Sequence, residues 1–375
     1  MSIGTPRISR PTGTSGDAIK VMITDDSAVV RGLITRWLGE ESGIEIVAKA
    51  SDGIMAIKMA AEHQPDVVIL DVEMPRLDGL AALPQILKAA PKTKVVMAST
   101  LTHRNADITL RALSSGAADY LPKPESSSLA SAKDFQHDLI AKVRALGEAS
   151  RRSRSPAARR PMAPPARVAA RIRPQAKRPR PVPKAVFIGA STGGPQALRD
   201  VITVIGPKIN IPVFITQHMP KAFTAVLAEH LSKNARKPVV EGRDGMPVKS
   251  NGIYLAPGDF HMTVRRSGAG VVIGLDQRPQ ENYCRPAVDP MFRSAAEVYG
   301  DSALGVVLTG MGHDGQEGSE HLVKTGAQIL AQDEATSVVW GMPGSVVQAG
   351  LAEQVKPINQ IGTTIMNIVS GGRQR

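Results

Sequence analysis

Residues 189 to 193 read "GASTG" and follow a short apolar run, "AVFI". G-x-S-x-G at a strand-to-helix turn is the setting that lifts a serine hydroxyl clear of a sheet edge, as a nucleophile requires. A Gly/Ser/Thr loop before a helix N-terminus also makes a good anion site. The loop lacks the Lys of a phosphate-binding P-loop and does not follow the dinucleotide G-x-G-x-x-G pattern. On this motif alone, nucleophile and phosphate loop stand level. A nucleophile needs a base, and the base needs an orienting acid. The next apolar run, "PVFITQHMP", ends at His218, and "ALGVVLTGMGHDG" runs into a glycine loop carrying His313 and Asp314. His230 and His321 fall at helix-surface positions and His261 begins a hairpin, so only His218 and His313 follow runs able to neighbour the serine strand. Ser191, His218 and Asp314 as nucleophile, base and orienting acid is the favoured reading. A metal site of His218, His313 and Asp314 is the alternative. The order Ser–His–Asp argues against the usual lipase and esterase fold, but geometry rather than order defines a triad.

A second constellation lies nearer the N-terminus. Asp25 and Asp26 end the run "IKVMITDD", Asp71 ends "DVVILD", Ser99 ends "KVVMAS" and Lys123 lies in "LPKP". Carboxylates gathered at strand ends are unfavourable unless something positive sits among them. Lys123 is one such charge. A hard divalent cation held by Asp25, Asp26 and Asp71 is another, and Mg2+ suits the oxygen ligands.

The elements that must position these groups are legible in the pattern. From residue 18 to 145, short apolar runs alternate with helix-length segments such as "VVRGLITRWLGEE" and "LAALPQILKAA". From 185 to 372 the alternation resumes, interrupted by a hairpin-like "HMTVRRSGAGVVIGL". Strand and helix in alternation give an open parallel sheet with ligands beyond the strands' carboxyl ends. The expected fold class is α/β, two doubly wound and mostly parallel-sheet domains. Residues 1–17 read as a disordered leader, and 146–184 as a disordered basic Pro-rich linker between the domains. Residues 151–184 hold 12 basic side chains, no acid and eight prolines, which rules out a core of their own. The net charge of +12 therefore lies wholly in one segment, and the two flanking bodies are near neutral. That removes most of the case for nucleic acid. The only cysteine, Cys284, excludes an internal disulfide framework and a cysteine-based zinc site. No apolar stretch approaches the ~20 residues that span a bilayer, and a cytoplasmic location without membrane insertion is expected.

The motifs "DDSAVVR", "ILDVEMPRLDG", "VVMAST" and "DYLPKP" resemble the receiver domain of two-component response regulators. The resemblance implies that Asp71 accepts a phosphoryl group, with Asp25 and Asp26 holding Mg2+. It also implies that Ser99 and Lys123 contact the phosphoryl group and that Tyr120 is the switch aromatic. Further on, "IGASTGGP", "QHMP", "LAPG", "RPAVD", "TGMGHDG" and "GMPG" resemble the catalytic domain of the chemotaxis protein-glutamate methylesterase/glutaminase. Receiver, linker and catalytic segment together resemble that family over nearly the whole chain. This implies Ser191 as nucleophile, His218 as base and Asp314 as its orienter, with backbone N–H groups near Thr192 and Met311 as the oxyanion hole. The implied substrates are methyl-esterified glutamates and some glutamines on chemoreceptors, and the implied phosphodonor is a chemotaxis histidine kinase. No cofactor is expected for the esterase step. The linker is long and basic for the family, and His313 stands where Asn is common. Two other readings are a response regulator with a binding output, such as DNA recognition, and the same esterase chemistry in a non-chemotaxis pathway.

Overall fold

The structure is a computed structural model that describes residues 18–100, 102–123, 129–154 and 181–371. The expected leader and residues 155–180 of the expected linker lie outside the described residues.

In the first body, β1 (Ile19–Thr24), β2 (Ile44–Ala50), β3 (Val67–Asp71), β4 (Lys94–Ser99) and β5 (Asp119–Pro122) form one parallel sheet in the order β2-β1-β3-β4-β5. Strand β3 is buried along its whole length, as a central strand covered by helices on both faces must be. The helices are α1 (Ala28–Gly39), α2 (Gly53–His63), α3 (Gly79–Ala89), α4 (His103–Ser114) and α5 (Leu129–Arg154). The first four start where the sequence supplies a capping side chain: Ser27, Asp52, Asp78 and Thr102 each accept from a backbone N–H of the first turn. Helix α5 continues through residues 146–154, past the expected start of the linker. The added turns are packed, since Leu146 and Ser150 are fully buried and Ser150 Oγ donates to Lys92 O at 2.8 Å.

The second body has a seven-stranded parallel sheet. Its strands are β6 (Ala185–Ala190), β7 (Val213–Gln217), β8 (Val239–Glu241), β9 (Ile253–Leu255), β12 (Ala303–Val307), β13 (Gln328–Gln332) and β14 (Gln354–Lys356), in the order β14-β13-β12-β6-β7-β9-β8. The antiparallel hairpin β10 (His261–Ser267) and β11 (Gly270–Asp276) stands apart as its own two-stranded sheet. Around them run α6 (Gly194–Ile205), α7 (Lys221–Ala235), α8 (Val288–Tyr299), α9 (Gln316–Lys324), α10 (Met342–Gln348) and α11 (Ile358–Val369). Two mostly parallel α/β bodies with one antiparallel excursion is the fold class the sequence implied. The short strands β8 and β14 went unseen.

The two bodies pack directly on one another. Helix α4 lies against α6 and α7. Tyr120 of β5 stacks on Phe223 of α7, with ring centroids 4.7 Å apart, and both are buried. The Gln196 side chain of α6 donates to Leu113 O and Ala117 O at 2.8 and 2.6 Å. Thr192 Oγ1 donates to Asp119 Oδ2 at 2.7 Å, and that carboxylate also pairs with half-buried Lys142 at 2.9 Å. His230, read from sequence as a helix-surface position, pairs across the interface with Asp107 at 2.9 Å. Val338, Val339 and Met311 join the apolar cluster of the first body that contains Phe135 and Leu139. Among the described residues no helix is long and apolar enough to cross a membrane.

Candidate functional site

Strands β6, β7 and β12 lie side by side at the centre of the larger sheet, and their carboxyl ends carry the serine, the histidine and the acid. The parallel register pairs Ala190 with Gln217, so the next residues, Ser191 and His218, are neighbours across the strand gap. His218 N donates to Ala190 O at 3.1 Å and Ser191 N to Thr309 O at 3.0 Å, fixing both backbones. The turn after Ser191 needs its glycines. Gly193 has φ of 77°, in the left-handed region, and a Cβ on Gly194 would lie 1.9 Å from Gln217 Oε1.

Asp314 is held by an unusual density of donors. Its oxygens accept from the backbone N–H of Val288 at 2.6 Å, Asp289 at 3.1 Å and Gly315 at 3.0 Å, and from Asn282 Nδ2 at 3.0 Å. His218 Nε2 lies 2.6 Å from Asp314 Oδ2. Burial pushes the Asp314 carboxyl up, but the His218 hydrogen bond and charge and the backbone donors outweigh it and hold it down at about 2. Beside it, burial first and then the Asp314 charge push Asp289 up to about 7. For His218, burial opposes the imidazolium. The neighbouring Cys284 and Asp314 more than offset that and raise it well above its ordinary value. The other ring nitrogen, Nδ1, has Cys284 Sγ at 3.3 Å.

The structure therefore brings His218 and Asp314 together and sets Ser191 beside them in register. No hydrogen bond joins Ser191 to His218 among the described residues, which differs from the expected serine–imidazole pair. The physical reason is that both ring nitrogens already have partners. His313 is exposed, with no hydrogen bond or ion pair to His218 or Asp314, so the alternative metal cluster does not assemble. Among the described residues the one grouping of three candidate metal ligands is Asp25, Asp26 and Asp71. The N–H groups of Thr192 and Met311 donate to no backbone carbonyl among the described residues. Sequence reasoning passed over Cys284, Asn282 and Asp289. The "RPAVD" motif pointed at the last of these without naming a role.

At the carboxyl ends of β1 and β3 in the smaller sheet, one carboxylate oxygen each from Asp25, Asp26 and Asp71 lie within 4.8 Å of one another. Lys123 Nζ reaches Asp25 Oδ2 at 2.7 Å and Asp71 Oδ1 at 2.8 Å. A cavity of about 180 Å³ opens here, lined by Asp26, Asp71, Ser99, Thr100, Asn105 and Lys123. Burial, resisted by Lys123, pushes Asp71 up to about 6. Three hard oxygen donors around a space of this size fit Mg2+. Tyr120, on β5 of the same sheet, stacks on Phe223 of α7.

The chain is similar to known proteins over nearly its whole length. The CheB methylesterase family model matches residues 186–365, and that of the response regulator receiver domain matches 21–132. A protein-glutamate methylesterase/protein-glutamine glutaminase of the group 2 operon of Bradyrhizobium diazoefficiens is 50% identical over 96% of this chain and 97% of its own. The chain belongs to the protein-glutamate methylesterase/protein-glutamine glutaminase family. A member from Rhodopseudomonas palustris strain BisB5 is 49% identical over 100% of both chains. The crystal structure of the Thermotoga maritima CheB methylesterase catalytic domain is 39% identical, covers 50% of this chain and 99% of its own, and has a TM-score of 0.49. The methylesterase/glutaminase family thus accounts for both bodies of the chain, the receiver and the hydrolase.

Proposed function

We propose that this methylesterase/glutaminase hydrolyses glutamyl methyl esters, and deamidates glutamines, on chemoreceptor cytoplasmic domains through Ser191, His218 and Asp314. The observation that carries the reading is the 2.6 Å contact of His218 Nε2 with a buried, donor-rich Asp314 beside Ser191 at the same sheet edge. A carboxylate on Nε2 fixes the tautomer in which Nε2 bears the proton, so Nδ1 is the basic nitrogen. Ser191 Oγ gives its proton to Nδ1 as it attacks the side-chain carbonyl. The oxyanion that forms takes hydrogen bonds from the N–H groups of Thr192 and Met311. Methanol or ammonia leaves with the proton from His218. Water, deprotonated by the same nitrogen, then hydrolyses the acyl-enzyme.

The receiver supplies control. Asp71 is the phospho-acceptor. Asp25, Asp26 and Asp71 would hold Mg2+, whose charge offsets that of the phosphoryl group, and Ser99 and Lys123 bind its oxygens. A chemotaxis histidine kinase is the phosphodonor. In the closed arrangement the receiver packs on Thr192 and Met311, the two residues whose N–H groups the oxyanion needs. Phosphorylation shifts the population away from this packing through Tyr120, which sits between the phosphorylation site and Phe223.

The test is methanol release from methylated receptor by wild type, Ser191→Ala and Asp71→Asn, with and without acetyl phosphate and Mg2+. Wild type should release methanol and be stimulated by the phosphodonor. Ser191→Ala should release almost none under either condition, and Asp71→Asn should act at the unstimulated rate in both. Release by Ser191→Ala within tenfold of wild type sinks the serine mechanism.

A further inference from the structure

The ring of His218 has a carboxylate on one nitrogen and a thiol on the other. Asp314 accepts from three backbone N–H groups and is held as the anion, so it takes the proton on Nε2. That leaves Nδ1 as the nitrogen through which Ser191 would be activated, and Cys284 Sγ occupies it at 3.3 Å. With the sulfur as the acceptor, Nδ1–H donates to it, so the nitrogen is taken and the ring is held protonated. We infer that Cys284 is an inhibitory partner of the catalytic base, denying Nδ1 to Ser191 while the receiver is docked. The inference rests on the reading of Ser191 and His218 as nucleophile and base.

The turn that delivers the sulfur is held in place from both bodies. Glu281 and Cys284 exchange backbone hydrogen bonds at 3.2 and 2.9 Å, leaving Asn282 and Tyr283 as a two-residue connection. Their φ angles are 52° and 62°. Asn tolerates that left-handed region, whereas a bulky residue such as Tyr is strained in it. From the catalytic side, Asn282 Nδ2 bonds Asp289 Oδ2 at 2.9 Å and Asp314 Oδ1 at 3.0 Å, and Glu281 pairs with Arg293 at 2.5 Å. From the receiver side, the ring of His137 on α5 lies 6.0 Å from that of Tyr283, which is otherwise 86% exposed. Undocking removes this receiver-side contact and leaves the strained turn held from the catalytic side alone, which lets the sulfur shift off Nδ1.

The charged surroundings point the same way. The groups facing His218 are Cys284 and Asp314, with Asp289 behind the latter. Across the interface Tyr120 and Lys142, with Asp119 and Asp138 around them, lie within electrostatic reach of the Cys284 sulfur. Cys284 therefore lies between these receiver side chains and the imidazole of the hydrolase. An imidazole that is already protonated cannot take the serine proton, so the same contact blocks the base by geometry and by charge.

The test uses full-length Cys284→Ala, with a melting curve to show that it folds. Methanol release from methylated receptor is measured without and with acetyl phosphate and Mg2+. In parallel, the His218 ring is titrated by NMR in histidine-labelled, unphosphorylated protein, its signal assigned with His218→Gln. The unphosphorylated rate should rise about two- to tenfold, the worth of one hydrogen bond, while the phosphorylated rate changes by less than about twofold. The His218 midpoint should move down. An unphosphorylated rate equal to that of wild type overturns the inference, whatever the midpoint does. A faster rate with an unmoved midpoint overturns it too, since the gain then comes from loosened docking. If phosphorylated wild type releases no methanol, the proposed activity itself fails. In that case the titration still reads the Cys284 contact: a midpoint that stays put in Cys284→Ala overturns it and one that falls supports it.

Discussion

Asp289→Asn should remove much of the catalytic domain's loss of stability between pH 4 and pH 8. Asp289 is 2% exposed, and its Oδ1 accepts from Gly315 N at 3.0 Å and Gly318 N at 2.6 Å. Burial first, and the neighbouring Asp314 charge second, raise it from 3.8 to about 7. An acid whose folded value lies above its unfolded one binds more proton when folded, so its contribution is intact below pH 3.8 and lost as pH rises through about 7. Taken alone the rise corresponds to at most ~4 kcal/mol; sharing the burial penalty with Asp314 leaves about 2 kcal/mol for Asp289. Asn has the same shape, keeps an acceptor for both N–H groups and cannot ionise, but its amide N–H group faces Asn282 Nδ2, so the 2.9 Å bond from Asn282 is lost at every pH. The variant should therefore carry a fixed cost of about 1 kcal/mol for that bond and improve on the parent by about 2 kcal/mol between pH 5 and pH 8. Urea unfolding at pH 5, 6, 7 and 8, in a Trp37→Phe background so that Trp340 alone reports on the catalytic domain, measures this directly. A difference between variant and parent that stays constant from pH 5 to pH 8 would refute the assignment of a proton to Asp289.

Ser191→Ala should melt within a few degrees of wild type and lose methanol release by at least ~10³-fold, as read by gas chromatography. Gln196→Ala strips two interface hydrogen bonds without touching the esterase groups, so unphosphorylated turnover should rise about fivefold or more while the phosphorylated rate holds. No change in unphosphorylated turnover would mean that the docked face does not restrain the enzyme. Mg2+ affinity, followed by calorimetry, should weaken by about tenfold per pH unit below about 6 as a proton competes for Asp71, and Asp71→Asn should flatten that slope.

The parts that were legible in the sequence are those fixed by local pattern. Strand ends followed by Ser, His or Asp, helix starts with a capping side chain, and a lone hairpin inside a parallel alternation all follow from period and turn chemistry. The three-residue strands β8 and β14 are too short for a period to show. Helix α5 overran its expected end because "RRSR" reads as linker by composition, while packing of Leu146 and Ser150 against the first body decides otherwise. The site was legible in its residues but not in its state. His218 could be placed beside Ser191 by strand order, yet that Nδ1 faces a thiol depends on a turn 66 residues away in the chain. The residues of the interface were beyond reach for the same reason. Nothing local to Thr192, Gln196 or His230 announces a partner on the other body.

The receiver face made by α4 and β5 is already engaged by the enzyme's own second body. Any other protein that reads that face must compete with an intramolecular rival. Its apparent affinity is then scaled down by the fraction of molecules that are open. By the same linkage its binding traps the open form, so it acts as an activator in proportion to how tightly it binds, with no phosphoryl group required. An idle enzyme of this design is hard for its signalling partners to see, and a partner abundant enough to see it also switches it on.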